Sequence, residues 1–201
     1  MQNVVTIPLP SLFTPYDPTS EDASHSADPT SGLPQSVQLM LFENVLNTKE
    51  VKSKVIAGDL SIPQCVMINP ALVADAFQLQ TACSRAYINQ AQNSMKTKTI
   101  FSEILFSLSP SMNIAESMRQ FGISDTSSSL FVLFPRGTEV EDVRTVAKIQ
   151  DAIKGESVPV HYNLTDLSVL KKVYKLNDAA DQSSSNLVNL IVGGIATKGY
   201  L

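Results

Sequence analysis

The chain has 201 residues, 43% of them hydrophobic and only 6% aromatic, and a net charge of −4. That composition suits one domain large enough to bury a core and excludes a strongly basic nucleic-acid binder. Two cysteines make no disulfide framework, and the longest apolar runs, residues 130–134 and 187–196, fall well short of the ~20 residues needed to span a bilayer.

Residues 4–9 predict a short edge strand. Residues 14–34, TPYDPTSEDASHSADPTSGLP, are rich in Ser, Thr, Asp and Pro and poor in apolar side chains. They predict a disordered acidic insertion, because burial there cannot offset the entropy of ordering. Asp17, Glu21, Asp22 and Asp28 within it carry the whole net charge, and the rest of the chain balances. The division is therefore an edge segment at 1–13, the insertion at 14–34 and one domain at 35–201.

The fold resumes with an apolar strand at 37–42. A helix over 48–57 follows, capped at Thr48, with Glu50 in its first turn and Gly58 after its end. A short strand at 64–68 leads into Asn69-Pro70, an N-cap and a first-turn proline for a long helix reaching residue 93. Leu72, Ala76, Leu79, Cys83 and Ala86 stripe that helix, and Arg85 lies off the stripe. It frays into residues 93–99. Residues 103–109 alternate, with Ile104, Phe106 and Leu108 on one face, and predict a strand ended by Pro110. Asn113 and Glu116 form a capping-box pair for a helix with Ile114, Met118 and Phe121 inward and Gly122 as a left-handed stop.

Residues 130–134 are apolar at every position, the mark of a central strand covered on both faces. After a turn at Pro135-Arg136-Gly137, Val140, Val143, Ile149 and Ile153 stripe a helix ended by Gly155. Leu164, Leu167, Leu170 and Val173 stripe another. Leu187, Leu190, Ile191 and Ile195 stripe a terminal helix that the serines at 183–185 can cap. The total is a single mixed α/β (α+β) domain, a small, predominantly antiparallel sheet of four to five strands flanked by five to six helices.

Catalytic and ligand motifs are thin. His161 is the one histidine outside the insertion, so a Ser–His–Asp arrangement needs that single imidazole in contact with both partners. His25 and His161 sit far from any cysteine pair, which leaves no zinc spacing. Gly193-Gly194 lies late in a helix with no phosphate-loop lysine after it. Its use is close approach of another backbone, either an internal neighbour or a partner. No enzyme activity, cofactor or metal is expected. The lack of a charged-then-apolar leader points to the cytoplasm and nucleus.

The stretch MKTKTIFSEILFSLSPSMNIAESMRQFGIS at residues 95–124 resembles the signature of the PRPK-binding protein family, the small accessory subunit of the KEOPS (EKC) tRNA-modification complex. Further matching pieces are LFENVLNTKEVKSK at 41–54, INPALVADAFQ at 68–78, LKKVYKL at 170–176 and IATKGYL at 195–201. The resemblance covers nearly all of residues 36–201. It implies a non-catalytic subunit that binds the atypical small kinase/ATPase subunit and, through it, meets the threonylcarbamoyl transferase subunit. It also implies help in capturing the acceptor end of tRNA for threonylcarbamoyl adenosine formation next to the anticodon, without any membrane contact.

Carried onto this sequence, the resemblance puts Lys96 and Lys98 on basic positions of the family's run. With Arg85 and Asn113 they are candidate tRNA-binding residues, and a solvated loop is the plain alternative. Lys171, Lys172 and Lys175 match the family as well, without a role assigned to them. For the kinase, Leu187, Ile191, Gly193, Gly194 and Ile195 on the terminal helix are the candidate interface, against a purely internal stripe. A stand-alone single-stranded RNA-binding module is the rival reading, weakened by few aromatics and no Trp.

Overall fold

The computed structural model describes residues 3–10, 33–176 and 184–199. The expected insertion therefore lies almost wholly outside the described residues, as do the side chains of the serines expected to cap the terminal helix.

Five strands form one antiparallel sheet: β1 (Val4–Pro8), β2 (Ser36–Glu43), β3 (Val66–Ile68), β4 (Leu130–Pro135) and β5 (Glu156–Val158). The order is β1-β2-β4-β3, and β5 pairs with the far end of β2. Seven α-helices surround the sheet among the described residues. They are α1 (Thr48–Ala57), α2 (Ala76–Ala91), α3 (Ile100–Leu108), α4 (Ile114–Phe121), α5 (Glu139–Ala152), α6 (Leu167–Tyr174) and α7 (Ser184–Thr197). The mixed α/β domain expected from the sequence is what the chain forms.

Both inner strands are apolar on both faces because each face is covered. On one, Val37, Leu39 and Leu41 of β2 join Phe131 and Leu133 of β4, under α2, α3, α6 and α7. On the other, Met40, Phe42, Leu130, Val132 and Phe134 meet Val51 of α1 and Val146 and Ile149 of α5. Facing residues such as Leu39 and Leu133 share a face across the ladder, so each layer is continuous. Burial of this kind contributes about 25 cal/mol per Å² of apolar surface.

Several elements depart from the sequence reading. Residues 103–109 are no strand but most of α3. Thr99 caps that helix through a reciprocal hydroxyl pair with Ser102. Ile104, Phe106 and Leu108 are all buried, since α3 packs on more than one neighbour. A helix buried around most of its girth leaves alternate residues apolar, and a period of two appears by accident.

The long helix after Asn69 is broken. Pro70–Leu72 makes a single 3-10 turn with Asn69 accepting from the Ala71 amide, and α2 starts anew at Ala76 with Asp75 as its cap. Asn47, not Thr48, precedes α1, and the Thr48 hydroxyl donates instead to the Ser127 carbonyl at 2.5 Å. On α5 the inward residues are Asp142, Val146 and Ile149, whereas Val140 and Val143 are exposed. The Asp142 carboxylate accepts from the Gly137 amide (2.8 Å) and from the Gln38 side chain, which turns that register inward.

Leu167 is likewise exposed on α6, while Leu170 and Tyr174 are buried. Gly122 ends α4 at φ −74°, so its backbone is extended and not left-handed. Ile114 is exposed, whereas Phe121 is fully buried.

Candidate functional site

Between α2 and α3 the chain turns through residues 92–99. Asn93 adopts a positive φ of 52°, and the Ser94 amide bonds back to the Asn89 carbonyl at 2.8 Å. Beyond this turn, Glu103 sits behind the loop and is fully buried. Its Oε2 accepts from the amides of Lys96 (3.0 Å) and Thr97 (2.9 Å) and from the Thr97 hydroxyl (2.8 Å), and its Oε1 accepts from the Asn89 side chain at 2.9 Å. Burial raises the carboxyl's pKa, but these four hydrogen bonds to the ionised form outweigh it and hold the net value below the ordinary range. Lys96 and Lys98 are exposed on either side of Thr97, which turns inward.

Arg85 has a different place from the one expected. Its guanidinium donates to the carbonyls of Ile195 (2.7 Å), Ala196 (2.8 Å) and Lys198, and so closes the carboxyl end of α7. A cation there meets both the open carbonyls and the negative end of the helix dipole. Asn113 accepts from the Glu116 amide at 3.2 Å, which makes it the cap of α4. The expected reciprocal bond is missing, because Glu116 binds the Ser111 hydroxyl (2.6 Å) and the Gln120 amide. Of the four candidate RNA-contacting side chains, the loop presents Lys96 and Lys98, while Arg85 and Asn113 secure helix ends.

Beside Arg85 lies Lys198, only 6% exposed. Its Nζ donates to the Phe106 carbonyl and stands 3.3 Å from the centre of the Phe106 ring. Burial and the positive charge of Arg85 push its amine down to about 7, against the opposing pull of Glu103. Neither Lys198 nor Glu103 was legible as structural from the sequence. The Thr99/Ser102 hydroxyl pair at capping distance was the signal that marks α3 as a helix and turns Glu103 inward.

The terminal helix sorts its residues clearly. Leu187, Ile191 and Ile195 are buried in the core, so these three candidate anchors hold α7 to the domain and are closed to a partner. Gly193 and Gly194 are exposed, and a Cβ built on either would meet no atom within 4 Å. Among the described residues no other backbone uses the space they leave. With Leu190 (43% exposed) and Ala196 they give α7 an outward face of low relief and few charges.

Other chemistry-bearing residues have structural neighbours. His161 Nε2 lies 3.3 Å from a Glu43 carboxylate oxygen. The Cys65 and Cys83 thiols are both pushed up to about 12 by burial. Among the described residues no group of three or more His, Cys, Asp or Glu is placed to hold a metal ion, and no helix is long and apolar enough to cross a membrane.

Residues 42–199 match the family model described as kinase binding protein CGI-121. The chain is 30% identical over 165 residues to a Danio rerio protein named EKC/KEOPS complex subunit TPRKB, covering 81% of this chain and 91% of that one. It is 29% identical over 202 residues to the Aspergillus fumigatus EKC/KEOPS complex subunit cgi121, with 97% and 99% covered. The Schizosaccharomyces pombe EKC/KEOPS complex subunit cgi121 is 30% identical over 167 residues, with 82% and 94% covered.

Proposed function

Because the chain belongs to the kinase binding protein CGI-121 family, we propose that it is the small accessory subunit of an EKC/KEOPS complex. In this role it docks an atypical small kinase/ATPase subunit and helps bring tRNA to the assembly. The observation that carries the kinase half is the family match over residues 42–199. The open face of α7 is the matching surface: exposed glycines with free space above them let a partner's backbone approach closely.

The tRNA half rests on the loop at 95–99, where two lysines project from a backbone fixed from behind. Lysines so held contact phosphates without reading base identity, which suits capture of a tRNA end and a strongly salt-dependent affinity. The balanced charge of the domain makes this contact modest by itself and useful within a larger assembly. The threonylcarbamoyl transferase subunit is met indirectly, through the kinase. The chain itself supplies positioning, and the chemistry belongs to its partners.

Co-purification on the tagged chain tests the reading. A stoichiometric small kinase is the expected result, and recovery of tRNA with no protein partner would instead mark a stand-alone RNA-binding module. For the loop, Lys96→Glu with Lys98→Glu is expected to weaken tRNA binding and flatten its salt dependence while the melting temperature holds. Binding that is unaltered at low salt would remove the loop from the RNA contact.

A further inference from the structure

An ionised carboxylate is costly to bury unless its oxygens are satisfied, and Glu103 is satisfied mainly by the loop it lies behind. Three of its four donors, the amides of Lys96 and Thr97 and the Thr97 hydroxyl, come from residues 95–99, and the fourth comes from Asn89 on α2. Two successive amides on one oxygen curl the backbone around the carboxylate. Thr97 is drawn inward, and its neighbours Lys96 and Lys98 point to solvent. We propose that Glu103 is the positioning residue for phosphate contact, fixing the loop so that Lys96 and Lys98 meet a nucleic-acid backbone already in place.

This inference rests on the reading of the loop as an RNA contact and adds what shapes it. The requirement is for charge as well as size. A carboxylate offers only acceptors to the four donors, whereas an amide of equal volume presents an NH2 to at least one of them. One basic side chain acts on the same group from another element. Lys198, after α7, feels Glu103 electrostatically. Arg85 on α2 holds the end of α7 that carries Lys198. Preorganisation of this kind lowers the ordering cost at binding, so its loss reads out as weaker affinity without loss of either lysine.

Glu103→Gln in the full chain is the test, with amide hydrogen exchange measured on the free protein and affinity measured on an unmodified tRNA transcript. The amides of Lys96 and Thr97 are expected to exchange at least about tenfold faster, and tRNA binding to weaken by about the same factor. Thr97→Val, which removes one donor and leaves the buried carboxylate in place, is expected to move both readouts in the same direction by less. It carries the test by itself if Glu103→Gln fails to fold by circular dichroism.

Slow exchange at Lys96 and Thr97 in folded Glu103→Gln would overturn the inference. So would fast exchange with full tRNA affinity, provided that Lys96→Glu with Lys98→Glu still weakens binding; the RNA reading would then survive alone. A double lysine variant that binds normally removes the RNA reading first, and the positioning role falls with it.

Discussion

At the scale of single residues, the structure gives two positions an unusual burden. Gly155 lies where the chain leaves α5, and a Cβ there would stand 2.9 Å from the Glu43 carbonyl oxygen and 2.8 Å from a Val45 methyl. Its φ is not positive, so the constraint is space and not backbone conformation. Gly155→Ala is expected to lower stability by about 1–3 kcal/mol, the usual penalty for overpacking, read as a drop in the denaturation midpoint. Lys198 carries the second burden. Its amine falls to about 7 in the folded protein, well below the ordinary ~10.4 of an unfolded lysine. Between those values the unfolded chain binds the extra proton, so stability rises with pH across the window. Below about 7 both states are charged and the burial penalty is fully present. Lys198→Met has no such titration, so its stability advantage over the native chain is expected to shrink as the pH is raised from 7 to 10. A constant difference in melting temperature over that range would show that the amine stays charged in the fold.

Among the elements, α7 has two faces of different character, and docking is proposed for only one of them. Its inward stripe of Leu187, Ile191 and Ile195 is 6% exposed or less, and its outward face holds Leu190 and the two glycines. Ile191→Glu therefore places a charge in the core and is expected to unfold the domain or cost several kcal/mol. Leu190→Glu leaves the core alone. It is expected to weaken kinase binding by about 2 kcal/mol, roughly thirtyfold, with an unchanged circular dichroism spectrum. Full kinase affinity in folded Leu190→Glu would move the docking surface off this helix. The other exposed apolar side chains include Val55 and Ile56 on α1, which then become the next surface to vary.

For the molecule as a whole, the sheet brings the two ends of the acidic segment together. Pro8 of β1 pairs with Ser36 of β2, and the Leu9 amide donates to the Gln35 carbonyl at 2.8 Å. The two strands are thus an antiparallel hairpin whose connection, at residues 10–34, starts and finishes at one end of the sheet. Removing residues 16–32 is expected to leave the fold and kinase binding intact. Shortening the connection to about eight residues raises stability by only about 1 kcal/mol, since loop entropy grows slowly with length. A fall of several degrees in melting temperature would instead show that the segment packs on the domain.

The sequence by itself determined the elements whose signals are local or whose burial is complete. The all-apolar run of β4 reads as a central strand because both its faces are covered, and the end of α1 at the left-handed Gly58 follows from turn chemistry within a few residues. Its motifs also carried the family. The apolar pattern by itself did not decide what α3 is, because a short helix packed on several sides loses the one-sided stripe that separates period 3.6 from period two. The same holds for the site. Arg85 read as a candidate tRNA contact and closes α7, Glu103 read as the start of a strand and shapes the loop, and three apolar residues of α7 turned inward. Which charge is satisfied and which face is covered depend on residues as many as 113 positions apart, as between Arg85 and Lys198. Local pattern carries no information about such pairs, since burial and hydrogen-bond partners are assigned only when the elements pack.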